Sequence, residues 1–175
     1  RDIAAVAPLP TLPRRQGWKV LDESHVDAYI EATARLASKP GTLKVVYSAM
    51  HGVGTETLRK VFVRSGFPEP ILVTEQAEPD PDFPTVAFPN PEEPGAIDLS
   101  LKKAAEVSAD LVIANDPDAD RCAAAIMEKS GQWRMLRGDE VGALLGEYMA
   151  RKAPSKEAIL ANSIVSSSIL SKIAR

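Results

Sequence analysis

The sequence is poor in cysteine and in long apolar runs, and both shortages limit what the chain can be. Cys122 is the only cysteine among 175 residues, so no disulfide can form within the chain. A domain that needs no disulfide suits a reducing compartment, and we expect a cytoplasmic protein with Cys122 as a buried, inert thiol. No stretch approaches the roughly 18 apolar residues of a membrane span, and the N-terminus lacks a secretion-signal pattern. We therefore expect no association with a membrane.

Positive charge is also not in excess. The chain carries 21 Lys and Arg against 24 Asp and Glu, a formal net charge of −3. Nucleic-acid-binding domains usually present a concentrated positive surface, so this balance argues against a nucleic-acid partner. Apolar residues make up 45% and charged residues 26% of the chain, which is close to the globular average. The chain can therefore build a core, and neither intrinsic disorder nor a fibrous class fits it.

Short apolar runs alternate with segments of helical spacing through the middle of the chain. This alternation predicts an α/β fold, a layered α/β/α domain with a mostly parallel sheet. The predicted strands cover residues 43–47, 71–74 and 111–114, and the predicted helices begin near Ser24, Gly54 and Asp98.

The two ends of the chain differ from this middle part. Residues 1–17 contain Pro8, Pro10 and Pro13 and are predicted to be a linker or lead-in. Beyond residue 130 we expect an incomplete second α/β unit over residues 131–175, because the alternation of apolar runs and helical segments still continues at Arg175. A strand is predicted at 122–127, before this unit. Within the unit, the sequence predicts a strand at 133–136, a helix from Gly138, a strand at 158–162 and a helix at 166–173.

One segment, residues 66–100, is unusual in charge and in proline content. It holds eight acidic residues and no Lys or Arg, and eight of the chain's 14 prolines lie between Pro68 and Pro94. Such a segment is too stiff and too acidic to form core. It is predicted to be a solvated surface loop, and the alternative is that it lines one wall of a cleft.

Three carboxylates follow the predicted strand at 111–114 with a spacing of two residues: Asp116, Asp118 and Asp120. A loop that curls there can bring all three together, but three bare carboxylates in one place repel one another. A hard divalent cation relieves this repulsion, and oxygen ligands favour Mg²⁺ or Ca²⁺ over Zn²⁺. Three protein ligands leave open positions, which is typical of Mg²⁺ sites that act on phosphates. The pattern therefore predicts a Mg²⁺ site.

Two alternatives to a Mg²⁺ site exist for this loop. An EF-hand would need a glycine at the sixth position and a glutamate at the twelfth, where this chain has Arg121 and Met127. Alternatively, Asp116 caps a turn and the remaining two carboxylates face water. The sequence excludes the EF-hand, and the turn cap stays open.

Two basic side chains beside predicted strand ends could bind a phosphate. Arg121 directly follows the carboxylates, and a guanidinium can hold a phosphate with two hydrogen bonds, although a simple salt bridge would account for it equally well. His51 precedes Gly52 and Gly54, which permit close backbone approach ahead of a helix. His51 is thus a candidate phosphate ligand, with a purely structural role as its alternative.

Several of these motifs occur together in an order that resembles the α-D-phosphohexomutase superfamily, which includes phosphoglucomutases and phosphomannomutases. The metal-loop motif is DPDADR at 116–121. The further matches, which spread over most of residues 43–170, are AMHGVG at 49–54, FPNPEE at 88–93, GDEV at 138–141 and IVSS at 164–167.

The resemblance implies a particular place for this chain in a four-domain protein. Residues 18–130 would be the second domain and residues 131–175 the start of the third, packed against the first domain and the rest of the third and fourth. It implies that Asp116, Asp118 and Asp120 hold a catalytic Mg²⁺ and that Arg121 contacts the phosphorylated sugar substrate.

The resemblance also implies a reaction, the transfer of a phosphoryl group between the 1- and 6-hydroxyls of a hexose. That reaction proceeds through a phosphoserine enzyme and a sugar bisphosphate. The phosphoserine loop, the sugar-specificity loop and the phosphate-binding loop of the family are not found in these 175 residues. The chain alone is therefore expected to be inactive.

Three alternatives remain for the function. One is a phosphopentomutase-type relative, because the same metal loop serves several sugars. Another is a non-catalytic sugar-phosphate-binding module, although three mutually repelling carboxylates argue against a loop without a metal. The third, a hydrolase of the haloacid-dehalogenase kind, requires a DxDx[TV] motif near its N-terminal strand, and the aspartates here follow a late strand instead.

Overall fold

The computed structural model describes Thr11 and residues 16–37, 39–153, 155, 157–164 and 166–173. Most of the predicted linker at 1–17 therefore lies outside the described residues. The helices and strands, in chain order, are α1 Glu23–Ala34, β1 Val45–Ser48, α2 Gly54–Arg64, β2 Ile71–Leu72, a 3-10 turn Thr74–Gln76, α3 Asp98–Val107, β3 Leu111–Asn115, β4 Cys122–Met127, β5 Trp133–Met135, α4 Gly138–Arg151 and α5 Ile169–Ile173.

The five strands form one sheet in the order β2-β1-β3-β4-β5. β1 pairs in parallel with β2 and with β3, whereas β4 is antiparallel to both β3 and β5. Four of the five strands therefore run in the same direction, which confirms the predicted mostly parallel sheet. Parallel neighbours need a crossover connection, and α2 and α3 lie in the two connections that link β1 to β2 and β2 to β3.

Helices lie on both faces of this sheet because successive side chains of a strand point to opposite faces. Val112 and Ala114 of β3 belong to the buried core that includes Ala104 of α3. The next residue, Asn115, points the other way and lines a cavity of about 220 Å³ together with side chains of α1 and α2. The predicted α/β/α layering is thus confirmed.

The acidic segment is an irregular surface loop between β2 and α3, as predicted. Its acidic side chains at positions 78, 82, 92 and 93 are exposed. A few residues anchor it, because Gln76, Pro91 and Ile97 are buried. Whether this loop lines a cleft stays a prediction.

The predicted strand at 158–162 is wrong. Residues 158–163 have no regular structure, and Ile159 is 91% exposed. A strand exists only where a neighbour completes its hydrogen bonds, and none of the described strands lies beside this segment. The predicted helix at 166–173 forms only over Ile169–Ile173.

The prediction of a buried Cys122 is also wrong, because the residue is exposed as the first residue of β4. Nearby protein atoms still raise the pKa of its thiol above the ordinary value, so it remains a poor nucleophile. Within the described part of the chain, no helix is long and apolar enough to span a membrane.

Candidate metal centre

The three aspartates lie in the loop of a hairpin formed by β3 and β4. The last residue of β3, Asn115, is paired with the first residue of β4, Cys122, so residues 116–121 form the whole connection. The loop curls because the Ala119 N–H donates to the Asp116 carbonyl at 2.9 Å and Ala119 adopts a left-handed φ of 58°. This curl turns side chains two residues apart toward one another.

The structure brings together the three carboxylates predicted as metal ligands. Asp116, Asp118 and Asp120 each offer a carboxylate oxygen, and these oxygens all lie within 4.8 Å of one another. Asp116 is buried and the other two are exposed, so the group is open to solvent on one side. A set of carboxylate oxygens with an open side fits Mg²⁺, which keeps several waters or substrate oxygens in its coordination shell.

Arg121 holds the buried carboxylate in place. Its backbone N–H donates to Asp116 Oδ1 and its Nε donates to Asp116 Oδ2, both at 2.8 Å. The salt bridge considered from the sequence is therefore present, and its guanidinium lies beside the carboxylate cluster. The predicted contact between Arg121 and a substrate phosphate stays a prediction.

The crowding of carboxylates perturbs their protonation. Burial acts to raise the pKa of Asp116, but hydrogen bonds from Arg121 and Asp120 outweigh it and hold that pKa below the ordinary value. The pKa of Asp120 is raised by its hydrogen bond with Asp116 and by the negative charge of Asp118. A cation that binds this cluster would therefore compete with a proton for Asp120.

The loop at 49–54 packs its backbone against the metal loop. The Val53 N–H donates to the Pro117 carbonyl at 2.9 Å. A Cβ at Gly52 would lie 2.5 Å from the Pro117 carbonyl carbon and closer still to its Cα and oxygen. Glycine is therefore required at position 52 by the metal loop itself, whereas the sequence suggested only close approach of an anion.

His51 lies in a buried polar network. Its ring is almost fully buried, and its Nε2 is 2.8 Å from Thr85 Oγ1. Gln76 Nε2 donates to the same Thr85 oxygen at 2.9 Å, while Gln76 Oε1 accepts from Ser48 Oγ at 2.6 Å. This network joins the end of β1 to the acidic loop. These contacts match the structural alternative for His51, and its role as a phosphate ligand stays a prediction.

Two residues at the base of the metal loop were missed by sequence reasoning. Tyr47 OH donates to Asn115 Oδ1 at 3.0 Å, and Asn115 Nδ2 donates to the Arg121 carbonyl at 2.6 Å. Burial raises the pKa of Tyr47 far above the ordinary value, so the phenol keeps its proton and remains a donor. The only sequence signal was the place of Asn115 directly before the first aspartate.

Comparison with known proteins agrees with this geometry. Residues 24–130 match the family described as phosphoglucomutase/phosphomannomutase, alpha/beta/alpha domain II. The chain is 48% identical over 175 residues to a probable phosphomannomutase of Haemophilus influenzae, covering 99% of this chain and 36% of that protein. It is 41% identical over 149 residues to the phosphopentomutase of Mus musculus, covering 80% of this chain and 24% of that protein.

A further relative and two solved structures extend this comparison. The glucose 1,6-bisphosphate synthase of Homo sapiens is 44% identical over 142 residues, with 76% of this chain and 23% of that protein covered. A crystal structure of a phosphoglucomutase/phosphomannomutase family protein from Burkholderia thailandensis aligns with a TM-score of 0.62 and 25% identity, over 74% of this chain and 27% of that one. A putative phosphomannomutase from Thermus thermophilus shares the fold, with a TM-score of 0.57 and 24% identity over 78% of this chain and 30% of that one.

The chain spans about a third or less of the length of these curated relatives. The match to the second-domain family nevertheless covers more than half of the chain, and the carboxylate cluster lies inside the matched residues. The chain therefore belongs to the phosphoglucomutase/phosphomannomutase family and contains its second, α/β/α domain.

Proposed function

We propose that this chain is the metal-binding part of a Mg²⁺-dependent phosphosugar mutase. The whole enzyme would move a phosphoryl group between the 1- and 6-positions of a hexose phosphate, through a phosphoserine and a sugar bisphosphate, and so act as an isomerase. The observation that carries the proposal is the group of three carboxylate oxygens within 4.8 Å of one another in the loop that follows β3.

Each residue of the loop has a role in this proposal. Asp116, Asp118 and Asp120 would hold the cation, and a bound Mg²⁺ would offset negative charge on the transferring phosphoryl group. Arg121 orients Asp116 through two hydrogen bonds of 2.8 Å and leaves the loop with a nearby positive charge. That charge would attract the phosphate of the sugar substrate.

The remaining parts of the enzyme would come from outside this chain. We assign residues 18–130 to the second domain and residues 131–175 to the start of the third, with β5 of that second segment joining the sheet of the second domain through β4. We propose a cytoplasmic location. The phosphoserine, sugar-binding and phosphate-binding loops would belong to the other domains. The chain alone would therefore bind metal without catalysing the reaction.

The match to the probable phosphomannomutase supports a hexose phosphate as substrate. The probable phosphomannomutase matches over 99% of the chain at 48% identity, whereas the mouse phosphopentomutase matches over 80% at 41%. A phosphopentomutase-type activity is the second candidate, and a non-catalytic sugar-phosphate-binding module is the third. All three share the fold and differ in the chemistry that the whole protein performs.

The metal role is tested by calorimetric titration of the chain with Mg²⁺ and Mn²⁺. Asp118→Asn removes one exposed ligand, and Asp82→Asn removes an exposed carboxylate outside the cluster as the matched control. We expect saturable one-site binding that Asp118→Asn abolishes and Asp82→Asn leaves unchanged. If the wild-type chain binds no cation, residues 116–120 do not suffice as a metal site.

The substrate is tested on a protein that carries this chain together with the family's other domains. We expect hexose 1-phosphate to be converted faster than pentose 1-phosphate. A preference for the pentose would favour the second candidate. Conversion of neither sugar by a protein that still binds Mg²⁺ would favour the non-catalytic module.

A further inference from the structure

Asn115 lies at the base of the metal loop. It is the last residue of β3, directly before the ligand Asp116, and its register partner across the hairpin is Cys122. Every residue of the loop therefore lies between this pair. A side chain at this position can set how far apart the two ends of the loop stand.

The amide of Asn115 contacts both the end of the loop and the centre of the sheet. Its Nδ2 donates to the Arg121 carbonyl at 2.6 Å, and its Oδ1 accepts from Tyr47 OH at 3.0 Å. Because a carbonyl oxygen only accepts, the Arg121 contact requires the amide nitrogen on that side. The orientation of the amide is thereby fixed, and the phenol must be the donor.

Tyr47 gives this amide a rigid support. It is only 1% exposed and lies on β1, which pairs with β3 in the centre of the sheet. Its hydroxyl occupies the space that a side chain at Gly54 would fill, since a Cβ there would lie 2.5 Å from Tyr47 OH. The glycine at the start of α2 thus leaves the phenol room to reach Asn115.

The far end of the loop is linked back to the first metal ligand. Arg121, whose carbonyl accepts from Asn115, also donates its N–H and its Nε to the Asp116 carboxylate. The three carboxylates repel one another and would spread the loop when no cation is bound. The contact between Asn115 and Arg121 opposes this spreading and keeps the loop close to its metal-binding shape.

We propose that Asn115, supported by Tyr47, is a positioning residue that closes the metal loop and thereby sets its affinity for the cation. The proposal rests on the proposed metal function of Asp116, Asp118 and Asp120. A loop that is already closed loses less conformational freedom when the cation binds, and the binding is correspondingly tighter.

The test compares Mg²⁺ affinity by calorimetry in Tyr47→Phe, Asn115→Ala and the double variant. Tyr47→Phe removes one hydroxyl that contacts no predicted ligand, and losing one such hydrogen bond predicts about fivefold weaker binding. Asn115→Ala removes both contacts and should weaken binding more. In the Asn115→Ala background, Tyr47→Phe should have no further effect, because Tyr47 acts only through Asn115.

The matched control is Tyr148→Phe, which removes a tyrosine hydroxyl that donates to the Leu36 carbonyl at 3.1 Å, outside the metal loop. Circular dichroism and the urea midpoint show that each variant is folded. In the metal-free chain, faster hydrogen exchange at the Arg121 amide in Tyr47→Phe would support the closing role.

The outcomes separate this proposal from the metal function on which it rests. Wild-type affinity in both Tyr47→Phe and Asn115→Ala would overturn the positioning role and leave the metal function intact. If Tyr47→Phe weakened Mg²⁺ binding equally in the wild-type chain and in Asn115→Ala, the proposal that Tyr47 acts through Asn115 would be wrong. A wild-type chain that binds no Mg²⁺ would show that residues 116–120 do not suffice as a metal site, and it would overturn any role of Asn115 in the affinity of this chain.

Discussion

Gly52→Ala should distort the metal loop, because Gly52 lies in the 49–54 loop that packs against it. Gly52 is followed by Val53, whose N–H donates to the Pro117 carbonyl inside the loop. A Cβ at position 52 would lie 2.5 Å from the Pro117 carbonyl carbon, and the atoms that it meets are backbone atoms. A flexible side chain could rotate away from a new methyl group, but this backbone can only move as a unit.

The size of the effect follows from that distance. Carbon atoms pack best at about 3.5–4.0 Å, and the Pro117 Cα would lie even closer than the carbonyl carbon, so the two segments would have to separate by about 1–2 Å. Overpacking of this kind costs about 1–3 kcal/mol in well-packed proteins. The separation would also stretch the hydrogen bond from Val53 to Pro117 and displace the loop that carries Asp116 and Asp118.

Urea unfolding followed by circular dichroism measures the first effect. With a slope of about 2 kcal/mol per molar urea, a loss of 2 kcal/mol lowers the midpoint by about 1 M. Mg²⁺ titration measures the second effect, and we expect weaker binding. Gly142→Ala is the matched control, since its Cβ would meet no atom within 4 Å on an exposed position of α4. That change should stabilise the chain by about 0.5–1 kcal/mol.

A Gly52→Ala variant that kept both the urea midpoint and the Mg²⁺ affinity of the wild type would refute this prediction. Such a result would mean that the 49–54 loop and the metal loop separate at no cost. The close approach of Gly52 to Pro117 would then contribute nothing to the site.

Two further changes test the electrostatics and the buried network. Because Asp116 and the negative charge of Asp118 raise the pKa of Asp120, protons should compete with Mg²⁺ for that carboxylate. The Mg²⁺ affinity measured by calorimetry should therefore fall as the pH is lowered toward the pKa of Asp120, and an affinity that does not change over that range would contradict the prediction. Gln76→Met keeps the volume but leaves the buried Ser48 hydroxyl without its acceptor, which should lower the free energy of unfolding by about 1–3 kcal/mol in urea titrations; a wild-type midpoint would refute it.

The sequence predicted the sheet well because its buried strands are short and apolar. The run at 111–114 became β3, Leu111–Asn115, and its residues alternate between the two faces of the sheet. The segment at 158–162 has a similar apolar composition and yet forms no strand. An apolar composition indicates that a segment can form a strand, but the strand forms only where a neighbouring strand completes its hydrogen bonds.

The metal ligands were predictable and their support was not. Three aspartates in alternate positions after a strand are a local pattern, and the structure brings them together. Gln76 and Thr85 lie 25 residues or more from the residues that they hold, Ser48 and His51, and no local pattern relates them. Pairing across such distances is set by the packing of whole elements, so it becomes visible only in the fold.

The shape of the metal loop depends on three separate parts of the chain. Its ligands come from the hairpin, its ends are joined by Asn115 with help from Tyr47 on β1, and its middle rests on Gly52 through Pro117. The isolated hairpin would keep the aspartates and the contact between Asn115 and Arg121, but it would lose Tyr47 and Gly52. Its three carboxylates would then repel one another on a less firmly held loop, and the cation would have to supply more of the ordering free energy. The metal site is therefore a property of the folded domain, and changes outside residues 116–121 should alter its affinity.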